Sequence, residues 1–140
     1  MPSHTSIRVR YKDTDTMSVV YYGNYLTYFE VARVEYLRER GLPMSEVNRR
    51  VHMPVVEACV HYDRPALLDD LLDVTSRVSE RRRASFTFKY EIRNEKRELV
   101  AHGHTRHACW DPASQKMIAL PEWLKEIMSD DDLDPPTLRS

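Results

Sequence analysis

Asp13 and Asp15 stand two apart in Tyr11-Lys-Asp-Thr-Asp-Thr-Met-Ser18, and Tyr22-Gly-Asn24 follows just before the longest helical pattern in the chain. A carboxylate can take a proton from water or attack an electrophilic carbonyl itself. A helix N-terminus presents unpaired backbone N–H groups and partial positive charge, which stabilise a developing oxyanion. An acid, a turn and a helix start in close succession therefore suit acyl transfer. Further along, Arg81-Arg82-Arg83, followed by Ser85, reads from its residues as a solvated basic hairpin. His102 and His104 share one strand face, as metal ligands can, but the sequence offers no third ligand beside them and no metal site is predicted. Cys59 and Cys109 lack a CxxC neighbour and read as inert thiols.

These residues must be positioned by ordered elements. Ile7 to Tyr11 alternates apolar and basic side chains, as a half-buried strand does, and delivers the chain to a polar loop over Lys12–Ser18. Asp13 and Asp15 point the same way if that loop is extended. From Asn24 to Arg40 the period becomes helical, with Leu26, Phe29, Ala32 or Arg33, Tyr36 and Leu37 on one face and Tyr25, Tyr28 and Val31 widening it. So wide an arc implies a helix surrounded by other structure. Glu30/Arg33 and Glu35/Arg38 read as ion pairs three apart, and Gly41 with Pro43 supplies the stop. After a polar connector, strands are predicted over Met53–Tyr62, from Leu72 to Val78, over Ala84–Arg93 and over Leu99–Trp110, with a turn at Asn94–Arg97. A short extended piece at Met117–Leu120 and a brief helix over Pro121–Met128 close the pattern, and 129–140 reads as a disordered acidic tail. One helix against about five antiparallel strands is an α+β layer in one domain over residues 1–128, with the sheet curled round the helix. The uncovered sheet face and edges invite a partner subunit.

The chain has 140 residues with 21 basic against 22 acidic side chains, a formal net charge of −1, which argues against a general binder of nucleic acid or anionic membrane. No apolar run approaches the roughly 20 residues that span a bilayer. The N-terminus lacks an apolar signal segment, so a cytoplasmic protein with free thiols is expected.

An ordered set of motifs resembles the hotdog-fold acyl-CoA thioesterases of the 4-hydroxybenzoyl-CoA thioesterase type, including their Tol-Pal-associated relatives. It comprises Tyr11-x-Asp-Thr-Asp15, Val19-Val-Tyr-Tyr-x-Asn24-Tyr-Leu and Phe29-Glu-x-Ala-Arg33-x-Glu35-Tyr-Leu. Tyr62-x-x-Pro-Ala66, Asp69-Asp-Leu-Leu, Ser85-Phe-Thr-Phe, Gly103-x-Thr-Arg and Pro121-Glu-Trp-Leu continue it, so the likeness covers about residues 6 to 127. The resemblance implies a hotdog fold and hydrolysis of a CoA thioester to free acid and CoA, without a cofactor. It implies that Asp15 is the catalytic base or nucleophile and that the Tyr22 backbone N–H polarises the thioester carbonyl. Asn24 and Tyr25 become candidate substrate contacts, and Arg81, Arg82, Arg83 and Ser85 become candidates for the nucleotide phosphates. A homodimer or homotetramer, with the active site between subunits, is expected. Some relatives place the acid on the helix, which makes Glu30 a rival. One position departs from the family: Ser18 stands where Gly is usual, at a place where a turn needs positive φ or a close backbone approach. Two other readings compete. A non-catalytic acyl-CoA binder would keep the groove without turnover, and a hydratase or dehydratase would need a His near the helix, where none occurs between Lys12 and Val51.

Overall fold

The computed structural model describes residues 2–128 and Leu133. Six elements of sheet and three α-helices follow in the order β1 (Ser3–Arg8), α1 (Asn24–Glu39), α2 (Met44–Arg50), β2 (Val55–Tyr62), β3 (Leu71–Arg81), β4 (Ser85–Arg93), β5 (Leu99–Asp111), β6 (Lys116–Ile118) and α3 (Glu122–Ile127). All pairings are antiparallel, in the order β1-β3-β4-β5-β2, with short β6 on the far end of β5. The alternation in β4 decides which face is the core. Phe86, Phe88, Tyr90 and Ile92 turn inward onto α1 and are buried, while Ser85, Thr87, Lys89 and Glu91 turn outward.

Helix α1 lies along this inner face. Phe29 stacks on Tyr90 with ring centroids 4.2 Å apart, and Tyr36 meets Phe88 edge-on at 5.0 Å. Tyr25, Tyr28, Ala32 and Leu37 complete the buried stripe. Leu26 and Val31, expected in the same arc, sit on its margins and stay partly exposed. The helix stops where Gly41 takes φ +80, with Gly41 N–H on the Arg38 carbonyl and Leu42 N–H on that of Leu37. That pair of bonds is a Schellman end, for which a residue without Cβ is best suited.

The structure corrects several boundaries. Strand β1 begins at Ser3 and ends at Arg8, and Tyr11–Asp13 is a 3₁₀ turn that leaves Tyr11 exposed. The connector after Gly41 contains α2, whose Val47 is buried. Arg33 does not stay beside Glu30 but donates to the Tyr90 hydroxyl at 3.1 Å, whereas the Glu35–Arg38 pair forms as expected, also at 3.1 Å. The expected acidic tail lies outside the described residues except for Leu133, which packs against the core. Among the described residues no helix is long and apolar enough to cross a membrane.

Candidate active site

The segment between β1 and α1 is a tight hairpin. Asp15 N–H bonds to the Val19 carbonyl at 2.9 Å, Ser18 N–H to the Asp15 carbonyl at 3.1 Å, and Thr14 bridges Val20. Ser18 carries φ 63, so Thr16, Met17 and Ser18 form a three-residue loop closed by a left-handed residue, the position where Gly is usual. The returning arm is held by Val20 N–H on the Ala66 carbonyl and Leu68 N–H on the Ser18 carbonyl. The Asp15 side chain is exposed; its Oδ1 accepts the Met17 N–H at 2.8 Å. Among the described residues no group bonds to its Oδ2.

Asp13 has the opposite environment, so the two carboxylates do not share a direction. It is buried, and its Oδ2 accepts the Tyr28 hydroxyl at 3.0 Å and the Arg10 N–H at 3.1 Å, with Lys12 Nζ 3.3 Å from Oδ1. Burial alone would raise its pKa, but those donors outweigh burial and hold the carboxyl below its usual range. Burial, then the same bond to Asp13, pushes the Tyr28 phenol up. The Asp13 backbone carbonyl accepts both Tyr21 N–H at 2.9 Å and Asn24 Nδ2 at 2.8 Å. One residue thus anchors the Asp15 hairpin to the start of α1. There the Tyr21 carbonyl accepts Asn24 N–H at 2.9 Å, and among the described residues nothing accepts the Tyr22 N–H. An exposed carboxylate and a backbone N–H without an acceptor among the described residues are thus held through the same residue, Asp13, and groups of these two kinds are what acyl-transfer chemistry uses.

The model of the thioesterase-like superfamily matches residues 9–128. The chain belongs to that superfamily. It is 34% identical over 117 residues to the acyl-CoA thioester hydrolase YbgC of Escherichia coli, covering 83% of this chain and 87% of that one. Among solved structures, a DHNA-CoA thioesterase from Staphylococcus aureus superposes with a TM-score of 0.82 at 34% identity, over 89% of this chain and 85% of that one. A 4-hydroxybenzoyl-CoA thioesterase, at 22% identity and a TM-score of 0.80 over 91% of this chain and 99% of that one, shares the fold. The curled sheet around α1 is therefore the hotdog fold, and the enzyme is a thioester hydrolase.

Within this hotdog thioesterase the remaining candidates are scattered. Asn24 uses its amide to hold Asp13, and Tyr25 is buried against Tyr28 and Tyr62, its phenol pushed up by burial. Arg81 donates to the carbonyls of Lys125 at 2.7 Å and Met128 at 3.0 Å, closing the end of α3, and Arg82 pairs with Glu80 at 2.6 Å. Arg83 is exposed, and Ser85 opens β4 on its outer face. The basic hairpin and the Asp15 hairpin flank opposite ends of β3, whose ten residue steps span about 33 Å. The structure does not bring them together within one protomer.

Sequence reasoning missed a buried polar chain beneath α1. His107 Nδ1 faces the Met53 carbonyl at 3.1 Å and so carries the proton, leaving Nε2 to accept the Thr105 hydroxyl at 2.8 Å. Thr105 then accepts the Tyr90 hydroxyl at 2.6 Å, and Tyr90 accepts Arg33. Burial, then nearby Arg33, lowers the His107 pKa to about 4. On the outer face His102 pairs with Asp63 at 2.7 Å and His104 with Glu57 at 2.8 Å, and no group of three metal-ligating side chains converges among the described residues.

Proposed function

We propose that this thioester hydrolase cleaves an acyl-CoA to free carboxylic acid and CoA, using Asp15 and the Tyr22 N–H and no cofactor. The observation that carries the reading is the corner itself: Asp15 Oδ2 and the Tyr22 N–H both lack a partner among the described residues, and both are tied to Asp13, whose carbonyl accepts the Tyr21 N–H and the Asn24 amide. As a base, Asp15 takes a proton from water while the water oxygen bonds to the thioester carbon. The carbonyl electron pair moves onto oxygen, where the Tyr22 N–H stabilises it. Its return expels the CoA thiolate, which recovers a proton. As a nucleophile, Asp15 instead forms a mixed anhydride that water opens. Both routes need the same two groups. Naming CoA as the carrier rests on the likeness to the E. coli acyl-CoA thioester hydrolase.

The proposed enzyme is a dimer, alone or as half of a tetramer, paired through β2. That strand is a sheet edge bearing exposed Val55, Val56 and Tyr62, and the corner adds exposed Tyr11, Met17 and Tyr22. An antiparallel, two-fold β2 pairing reverses the strand ends. It brings the partner's basic hairpin toward the Asp15 end, where Arg82, Arg83 and Ser85 can meet the nucleotide phosphates. Arg81 stays with α3 and supports that hairpin from behind. Asn24 and Tyr25 act on substrate through the shape they give the corner. Free Cys59 and Cys109 suit a reducing cytoplasm.

A panel of short, long and aromatic acyl-CoAs, with a thiol reagent reading released CoA, tests the reaction and its acyl preference. Asp15→Asn is expected to keep the fold and lose turnover. Near-normal turnover by that variant overturns the assignment, and tight binding of acyl-CoA without thiol release makes the chain a sensor instead.

A further inference from the structure

Tyr62 is the last residue of β2, the edge strand, and its hydroxyl donates to the Tyr22 carbonyl at 3.1 Å. Its ring meets those of Tyr22 and Tyr25 edge-on, with centroids 6.5 and 5.3 Å apart. The Tyr22 N–H belongs to the peptide whose carbonyl is that of Tyr21, already held by Asn24 N–H at 2.9 Å. The following peptide carries the Tyr22 carbonyl, and Tyr62 holds that one. Both peptide planes flanking the Tyr22 Cα are therefore fixed through their carbonyls, one from inside the turn and one from the sheet. The two soft dihedrals of Tyr22 lie between those planes, so the direction of its N–H is set from both sides. The Tyr62 bond is the only one of the two that comes from another element.

We infer that Tyr62 is a positioning residue for thioester hydrolysis, aiming the Tyr22 N–H at the developing oxyanion by pinning the neighbouring carbonyl. The inference rests on the proposed role of the Tyr22 N–H. A donor aimed in advance acts on the transition state more than on the bound substrate, because charge reaches the carbonyl oxygen only as the tetrahedral species forms. Removing the pin is therefore felt in kcat rather than in KM.

Tyr62→Phe tests this, since it keeps the ring contacts and deletes one hydroxyl on a residue that is half exposed. The variant is expected to lower kcat about tenfold with KM within about twofold, in line with loss of an interaction made in the transition state. Its melting temperature should match the wild type, and the backbone amide resonances of Tyr22 and Gly23 should shift and exchange faster. Unchanged kcat overturns the inference. So does an equal loss of kcat accompanied by a lowered melting temperature, which marks plain structural support. The amide resonances separate this result from failure of the parent reading. If Asp15→Asn turns over normally, the reaction corner is wrong, while unchanged Tyr22 and Gly23 amides in Tyr62→Phe show that the pin itself does not operate.

Discussion

The hairpin at Asp15–Val19 and the hairpin at Asn94–Glu98 are built alike. In each, the first residue's N–H bonds to the carbonyl four residues on, the fourth residue's N–H bonds back to the first carbonyl, and the fourth residue is left-handed: Ser18 at φ 63 and Arg97 at φ 66. In each, the first side chain accepts a backbone N–H two residues on, Asp15 from Met17 at 2.8 Å and Asn94 from Lys96 at 3.0 Å. They differ in what is left over. Asn94 also accepts the Glu98 N–H through Oδ1 and donates to Glu98 Oε1, whereas Asp15 keeps Oδ2 unbonded among the described residues. Charged Glu95, Lys96 and Glu98 belong to one loop, and exposed Tyr11, Met17 and Tyr22 surround the other. The backbone of the Asp15 turn is thus ordinary scaffolding. In the proposed reaction its chemistry resides in one carboxylate oxygen and the helix start beside it.

The largest effect follows from making the first turn like the second. Asn94 demonstrates that an amide fills this position, so Asp15→Asn is expected to leave the thermal midpoint unchanged. Turnover should fall by about 10³-fold, the range a general base or nucleophile contributes. Steady-state kinetics beside a thermal melt measure both. A large drop in melting temperature would break the analogy between the turns.

Acid sharpens the contrast from another side, because neither turn governs stability in mildly acid solution. His107, buried in the chain that runs to Arg33, has its pKa lowered to about 4 from an ordinary 6.5. The unfolded chain therefore binds a proton that the folded one refuses. Stability is intact above pH 6.5 and is lost as pH falls toward 4, by about 3 kcal/mol over that window. Asp13 and Glu98, whose carboxyls their hydrogen bonds hold low, add losses at more acid pH. Urea unfolding at pH 7, 5.5 and 4.5 should show the midpoint falling, and His107→Gln should flatten the dependence.

The converse exchange, Asn94→Asp, is expected to lower the denaturant midpoint slightly by removing the donor to Glu98 and placing two carboxylates together. It should create no hydrolytic activity when Asp15 is already Asn. A carboxylate in the right turn but away from a helix start lacks the oxyanion donor.

How much of this was legible before folding depended on range. The α1 stripe of Tyr25, Phe29, Ala32, Tyr36 and Leu37 and the alternation of Phe86 to Ile92 are local periodicities, and both elements formed where they were read. Ordered motifs carried the hotdog fold. Strand β1 was misplaced because its inward residues Ser3 and Thr5 are polar, so no apolar alternation marks its first half. Helix α2 offers only Met44 and Val47 over seven residues, too short for a period to emerge. The His107 bond to Met53, the Arg33 bond to Tyr90 and the Tyr62 bond to Tyr22 link residues 40 or more apart, and only the packing of the α1 region and the connectors on the sheet places them together. The opposite fates of Asp13 and Asp15 turn on a 3₁₀ turn that an extended reading of the loop does not contain.

The smallest effect concerns Ser18, which takes a left-handed conformation that glycine adopts without strain. Its φ of 63 lies in the region where an L side chain crowds the following carbonyl, at a cost of about 1–2 kcal/mol per residue. Ser18→Gly relieves that crowding but gives the unfolded chain more freedom, which offsets part of the gain. A net stabilisation of about 0.5–1 kcal/mol is expected, seen as a higher urea midpoint with an unchanged slope. The backbone bonds of Ser18 to Asp15 and Leu68 do not involve its side chain, so the hairpin and Asp15 should hold their places and kcat should stay within about twofold. Arg97→Gly should gain a similar amount at the matching position of the second turn. If only Arg97→Gly stabilises, the two turns differ in strain as well as chemistry, and the Ser18 hydroxyl supports the Asp15 loop in a way its backbone does not.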